Sequence, residues 1–190
     1  MVSPNKEFVF FQNYKDILTA PEVLKSFINT IVYIGLLLIF NFLIPYIIGF
    51  ILAMLVTKYK GFYKSVIFLP SIISTVVGSL IYLWIFNPLS GPIAIFLSKF
   101  DIQSPFWIKT NGLVILVLSI VTAWKSFGYN LIILLSSIIE VPRELIEQAK
   151  LDNLSNSQIF VKIILPLTSS TALYVLIVTV VFGLQYVFVP

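Results

Sequence analysis

Seven of the twenty charged residues of this chain lie in one polar segment, residues 140–162, between two long apolar runs. Pro142 suits the first turn of a helix, where its missing N–H costs nothing, and a short helix is predicted to follow it. Glu144 and Glu147 then lie near the positive amino end of that helix. Carboxylates in this position can serve recognition, because such a helix fits either a cleft in a soluble partner or the headgroups of a membrane.

The predicted helix also carries a small apolar face. Leu145, Ile146 and Ala149 lie at positions i, i+1 and i+4, which places them on one side of a helix. We interpret this face as a docking surface for a protein partner. An ordinary loop whose amphipathic helix lies on the lipid headgroups remains the alternative on the residues alone.

A tight turn is predicted to end this helix at Asp152 and Asn153. A close helix end favours a residue in the left-handed conformation, usually Gly and sometimes Asn. Ser155 or Asn156 can then cap a second short helix, and Pro166 marks the return of the chain into the membrane. The segment is therefore predicted to form two short helices joined by a fixed turn.

The residue types exclude several kinds of chemistry. The chain has no cysteine and no histidine, which removes thiolate nucleophiles, disulfides and the commonest metal ligand. No G-x-x-x-x-G-K-[ST] sequence occurs, so the chain cannot hydrolyse ATP with a P-loop. The net charge is only +4 and the twelve basic residues are scattered, which is typical of topology signals rather than of nucleic-acid binding. We predict no catalytic residue, no metal site and no cofactor, and a protein that is not an enzyme.

The elements that must position the polar segment are membrane-spanning helices. Apolar residues make up 59% of the chain, charged residues 11%, and the mean hydropathy is +1.04. A bilayer core about 30 Å thick needs roughly 20 apolar residues in a helix, and a lone open strand cannot satisfy its backbone in lipid. The sequence predicts an all-α, polytopic transmembrane bundle of about four spans, at about residues 28–57, 65–87, 112–139 and 165–190.

Basic residues beside the spans predict the topology. Lys58, Lys60 and Lys64 lie in a short loop without any acid, and such loops favour the cytoplasmic side. Placing this loop inside also places residues 140–162 inside and the amino terminus outside. Residues 1–27 are too polar for a signal peptide or an anchor, so we expect a chain that is cut at both ends. The alternative is a compact four-helix protein with the opposite topology.

Two polar residues inside the predicted spans are candidates for a translocation pathway. Lys125 is the single charge within a span, and such residues are often functional because burying them is costly. It can instead snorkel, bond a backbone carbonyl or lie near the cytoplasmic boundary, and we favour this structural role. Asn41 can line a pathway or mediate helix packing, and packing is favoured.

The polar segment resembles the EAA loop of permease subunits in binding-protein-dependent ABC importers. The family pattern is E-A-A, three residues, G, nine residues and I-x-L-P. In this chain Gln148 replaces the first Ala and Asn153 replaces the Gly, and Asn also tolerates the left-handed conformation. The matching positions are Glu147, Ala149, Ile163, Leu165 and Pro166, and those that resemble the sugar-importer branch are Pro142, Glu144, Leu145 and Asp152.

Further motifs resemble the same family in the same order, over roughly residues 8–190. An amino-terminal span of the family, its final span and the loop leading to that span are absent, which supports the expectation of a truncated chain. The motifs are Asn29-Thr30, the Lys-Gly-Phe-Tyr-Lys loop with Leu69-Pro70, Trp84-x-Phe86-Asn87-Pro88 with Gly91, and Trp124-Lys125 with Gly128.

The resemblance implies the permease subunit of an ATP-driven importer in the plasma or inner membrane, for a sugar or a related polyol. It implies two ATP-hydrolysing subunits, a second permease subunit and an extracytoplasmic solute-binding protein as partners, beside membrane lipid. The polar segment would be a cytoplasmic coupling loop of two helices, in which Glu147 fixes orientation in the ATPase cleft. Leu145, Ile146 and Ala149 would supply contact area, and Asn153 would set the angle between the helices.

Two other classes of protein remain open. A non-transporting truncated remnant, or a small membrane scaffold protein, would explain the unusual ends of the chain. An ATP-independent carrier would need paired charges inside the membrane, and the predicted spans hold only Lys125.

Overall fold

The computed structural model describes residues 10–56, 58–110 and 112–187, and the regular structure within these ranges is entirely helical. Two of the helices each contain one π-helical turn, at Ile39–Leu43 and Phe160–Ile164. The helices are α1 (Gln12–Thr19), α2 (Pro21–Met54), α3 (Lys60–Ile72), α4 (Thr75–Ile85), α5 (Pro92–Ser98), α6 (Leu113–Ile139), α7 (Arg143–Leu151), α8 (Asn156–Leu167) and α9 (Ser169–Val187).

The predicted all-α bundle of about four spans is confirmed. In the described part of the chain, α2 with 34 residues and α6 with 27 residues are each long and apolar enough to cross a membrane. Two bent helix pairs pass the same test together: α3 with α4, bent by 94°, and α8 with α9, bent by 80°. Counting each bent pair as one span gives up to four.

The break between α3 and α4 lies inside the uncharged run 65–87, which the hydropathy predicted to be one span. Pro70 lies in the last turn of α3, and Ile73 is extended, with a ψ of 134°. Ser74 then caps α4, where its hydroxyl accepts a hydrogen bond of 3.5 Å from the N–H of Val77. The chain changes direction at this break, and the cap satisfies one of the N–H groups that the restarted helix leaves without an intrahelical partner.

The α3 helix crosses α6 closely because Gly128 has no side chain. A Cβ atom at Gly128 would meet the backbone carbonyl oxygen of Ile67 and would lie 2.7 Å from the Cα of Phe68. Small residues at a helix crossing let two backbones approach closely. Helices in lipid associate mainly through such close packing, because the hydrophobic effect contributes little to helix association there. Gly128 therefore sets the distance between these two helices.

The main core lies where the carboxyl ends of α2 and α6 meet the segment 140–162. Tyr46 and Phe50 of α2 pack in one buried cluster with Leu134 and Ile138 of α6. The same cluster includes Val141, Ile146, Ala149, Ile159, Ile164, Ala172 and Val175. The polar segment is thus attached to the membrane bundle through the core and is not a loop lying apart from it.

Candidate functional site

The α7 helix presents its acidic residues outward. It begins after Pro142, has Glu144 in its first turn and Lys150 in its last turn, and both charges complement the helix dipole. Glu144, Glu147 and Gln148 are exposed. These three side chains form the outer face of the helix, which can meet a partner without any rearrangement of the chain.

The prediction that three apolar residues of α7 form a docking face is wrong for two of them. Ile146 is 7% exposed and Ala149 is 5% exposed, and both belong to the main core. Only Leu145, at 40% exposed, remains on the outer side. The spacing of apolar residues correctly indicated one helix face, but that face packs against the chain's own spans.

A Schellman motif joins the two short helices at Asn153. Asn153 has a φ of 59°, the left-handed conformation predicted for it. The N–H of Leu154 donates to the carbonyl of Ala149, and the N–H of Asn153 donates to that of Lys150, each at 3.0 Å. This pair of bonds defines the motif, and the turn is fixed by backbone hydrogen bonds within the segment. Asp152, also a predicted site residue, is the exposed helix-terminal residue before it.

The α8 helix starts with a capping box. The hydroxyl of Ser155 accepts from the N–H of Gln158, and the side chain of Gln158 accepts from the N–H of Ser155 at 2.8 Å. This decides between the two predicted caps in favour of Ser155. The remaining predicted residues of the motif differ in burial: Ile163 is partly buried against the core, whereas Leu165 and Pro166 are exposed.

Aromatic residues connect α8 to α2, and sequence reasoning missed this contact. The ring of Phe160 lies 5.2 Å from the ring of Tyr46 and 5.1 Å from that of Phe50, both measured between centroids. The hydroxyl of Tyr46 also hydrogen-bonds Thr168 at the bend between α8 and α9. The signal in the sequence is the spacing of Phe42, Tyr46 and Phe50, which puts aromatic rings on one helix face at successive turns.

Lys125 reaches the break between α3 and α4. Its ammonium group donates a hydrogen bond to the hydroxyl of Thr75, the first residue of α4. The neighbouring Trp124 lines an apolar cavity of about 360 Å³, and Lys125 is not among the residues that line it. The side chain is half-buried, and its partner is a polar group at a helix break.

Asn41 lies in the packed interior, 3% exposed, in the π-helical turn of α2. Its backbone carbonyl accepts a hydrogen bond of 2.8 Å from the side-chain amide of Asn130 in α6. In an α-helix the donor to this carbonyl would be the N–H of residue 45, and Pro45 has none. The bond to Asn130 supports the packing interpretation of Asn41 over the pathway interpretation.

A helical bundle with bent spans and a polar segment packed at one end has the architecture of a polytopic membrane protein. Residues 45–190 match the family described as "Binding-protein-dependent transport system inner membrane component". The chain belongs to this family, and it is a multi-pass component of the inner membrane.

Relatives of known name are permease proteins. The chain is 28% identical over 180 residues to the probable ABC transporter permease protein YurN of Bacillus subtilis. This alignment covers 93% of this chain and 62% of the relative. It is 26% identical to the arabinooligosaccharides transport system permease protein AraP of Bacillus subtilis, over 94% of this chain and 57% of the relative. It is 25% identical to the sn-glycerol-3-phosphate transport system permease protein UgpA of Pectobacterium atrosepticum, over 94% of this chain and 60% of the relative.

A solved structure shares the fold. A chain of a bacterial ABC transporter involved in the import of the acidic polysaccharide alginate aligns with a TM-score of 0.81 and 20% identity. The alignment covers 95% of this chain and 65% of that chain. The chain therefore spans about three fifths of the length of the curated relatives and just under two thirds of the solved chain.

Proposed function

We propose that this chain forms part of the permease of an ATP-driven importer and that the segment 140–162 docks an ATP-hydrolysing subunit on the cytoplasmic side. The observation that carries the proposal is the division of α7 into two faces. Ile146 and Ala149 anchor the helix in the core, while Glu144 and Glu147 remain exposed. A segment built in this way offers charged groups to a partner and holds them in a fixed orientation.

The segment can transmit motion because hydrogen bonds and side-chain contacts hold both of its helices in place. The Schellman turn at Asn153 and the capping box of Ser155 fix the two short helices relative to one another. Phe160 then carries α8 onto Tyr46 and Phe50, so a displacement of α7 by a partner moves the carboxyl half of α2. The proposed mechanism is a rigid lever that converts closure of two ATPase subunits into a change in the membrane bundle.

The solute that we propose is a sugar or a related polyol. The names of the relatives support this class, since they specify arabinooligosaccharides and sn-glycerol-3-phosphate. A second permease subunit and an extracytoplasmic binding protein complete the proposed assembly, and one solved alginate transporter is in complex with a periplasmic protein. For Lys125 we propose the structural role favoured from the sequence, since its ammonium group bonds the hydroxyl of Thr75 at the break between α3 and α4.

Co-purification from native membranes tests the docking role. A tagged chain is expected to recover a soluble ATPase subunit, and Glu147→Arg is expected to abolish the recovery without changing the amount of chain inserted in the membrane. Asp16→Arg is the matched control, because Asp16 is an exposed acid on α1, at the opposite end of α2 from the core. Equal recovery with Glu147→Arg and with the unchanged chain would contradict the role of Glu147. Recovery of the unchanged chain alone would instead favour a scaffold protein.

A further inference from the structure

The α1 helix carries an apolar face that no other part of the described chain covers. None of its eight residues is buried. Phe11, at the amino end of the helix, and Tyr14, Ile17 and Leu18 within it are 78%, 67%, 56% and 73% exposed, respectively. Their positions, i, i+3, i+6 and i+7, place all four side chains on one side of a helix.

The opposite face of α1 is polar throughout. Gln12, Asp16 and Thr19 lie on that face and are exposed, and Lys15, which is also exposed, lies at its border with the aromatic face. Leaving large apolar side chains in water is unfavourable by about 25 cal/mol per Å². A helix with one aromatic face and one charged face is the type that lies in the plane of a membrane surface.

The connection to α2 holds α1 at the level of the lipid headgroups. Only Ala20 separates the two helices, and Pro21 is the first residue of α2. Glu22 and Lys25 are charged, and the chain is then uncharged up to Lys58, so the hydrocarbon region begins shortly after Lys25. The carboxyl end of α2 packs against the segment 140–162, which puts α1 on the opposite side of the membrane from that segment.

The apolar face of α1 is followed by an exposed apolar band on α2. Leu24, Phe27, Ile28 and Ile31 are 60%, 59%, 54% and 55% exposed at the start of this span. We propose that α1 lies along the membrane interface, with Phe11, Tyr14, Ile17 and Leu18 inserted at the boundary between headgroups and acyl chains. Aromatic residues favour this depth, and Lys15 and Asp16 face water.

The chain has no cysteine, so single cysteines can report the depth of each face. Tyr14→Cys and Leu18→Cys sample the apolar face, and Asp16→Cys is the matched control on the polar face. Each full chain carries a nitroxide label and is reconstituted in vesicles of phosphatidylethanolamine and phosphatidylglycerol. Collision rates with oxygen, which concentrates in lipid, and with a water-soluble nickel chelate are then compared by electron paramagnetic resonance.

Labels on the two faces of α1 are expected to differ in the sign of one collision parameter. The logarithm of the ratio of oxygen to nickel collisions should be positive at positions 14 and 18 and negative at position 16. Nickel collisions at position 14 equal to those at position 16 would overturn the proposal, because both faces would then lie in water. Protection of positions 14 and 18 from both reagents would also overturn it, because protein and not lipid would then cover the face.

Discussion

The side-chain amide of Asn130 in α6 donates to the backbone carbonyl of Asn41 in α2, at a distance of 2.8 Å. Both residues are buried. In an α-helix the N–H of residue 45 would donate to the carbonyl of Asn41, but Pro45 has no N–H. A side chain of one spanning helix thus satisfies a defect in the backbone of another. This bond ties α2 to α6 at the π-helical turn.

Asn130→Leu should destabilise the bundle by about 1 kcal/mol, because a buried carbonyl loses its donor while the number and branching of the side-chain heavy atoms are kept. The free energy of unfolding can be measured by titration with sodium dodecyl sulfate in mixed micelles. Pro45→Ala supplies the control, since it returns an N–H to α2. The cost of Asn130→Leu should then be smaller in the Pro45→Ala background, and the same cost in both backgrounds would contradict this account of the bond.

Gly128→Ala should force α3 away from α6, because the new methyl group would lie 2.7 Å from the Cα of Phe68. Overpacking of this kind typically costs 1–3 kcal/mol, and about that range is expected here. Gly35→Ala is the control, since a Cβ there meets nothing within 4 Å. Because Ala has a higher helix propensity than Gly, this control variant should be as stable as the unchanged chain or slightly more stable. Equal unfolding free energies for the two variants would refute the crossing role of Gly128.

Ile146→Ala and Leu145→Ala should separate the inner and outer faces of α7. Truncating a buried Ile costs about 2–5 kcal/mol, and Ile146 is 7% exposed. Leu145 is 40% exposed, so its truncation should change stability much less and should act on recovery of the ATPase subunit. Thermal unfolding in detergent and co-purification measure the two effects. A larger loss of stability with Leu145→Ala than with Ile146→Ala would instead support the docking role first predicted for Ile146.

Asn153→Gly should keep or slightly raise stability, whereas Asn153→Ala should lower it by about 1 kcal/mol. The reason is the φ of 59° at this residue, a conformation that costs an ordinary L residue about 1–2 kcal/mol and Gly very little. Thermal unfolding of the two variants checks the order. If Ala were tolerated as well as Gly, the left-handed turn would not hold the two helices.

Local chemistry explains which features the sequence predicted. Hydropathy predicted the spans, and the preference of Asn for the left-handed conformation and of Ser for a cap predicted the turn at Asn153 and the start of α8. The partner of an apolar face is not a local property, so the pattern of Ile146 and Ala149 could not distinguish the chain's own core from an ATPase cleft. The contact between Asn41 and Asn130 joins positions 89 residues apart, and no local rule predicts such a pair.

The hydrogen-bonded turn and cap between α7 and α8 have a thermodynamic consequence. Ordering the backbone of one residue costs about 1–2 kcal/mol in conformational entropy. Because Asn153 and Ser155 are already fixed in this chain, a protein that binds α7 does not have to order the segment as it binds. A free peptide of the same residues would lack the core contacts of Ile146 and Ile159, would lose that entropy on binding, and should bind the same partner more weakly.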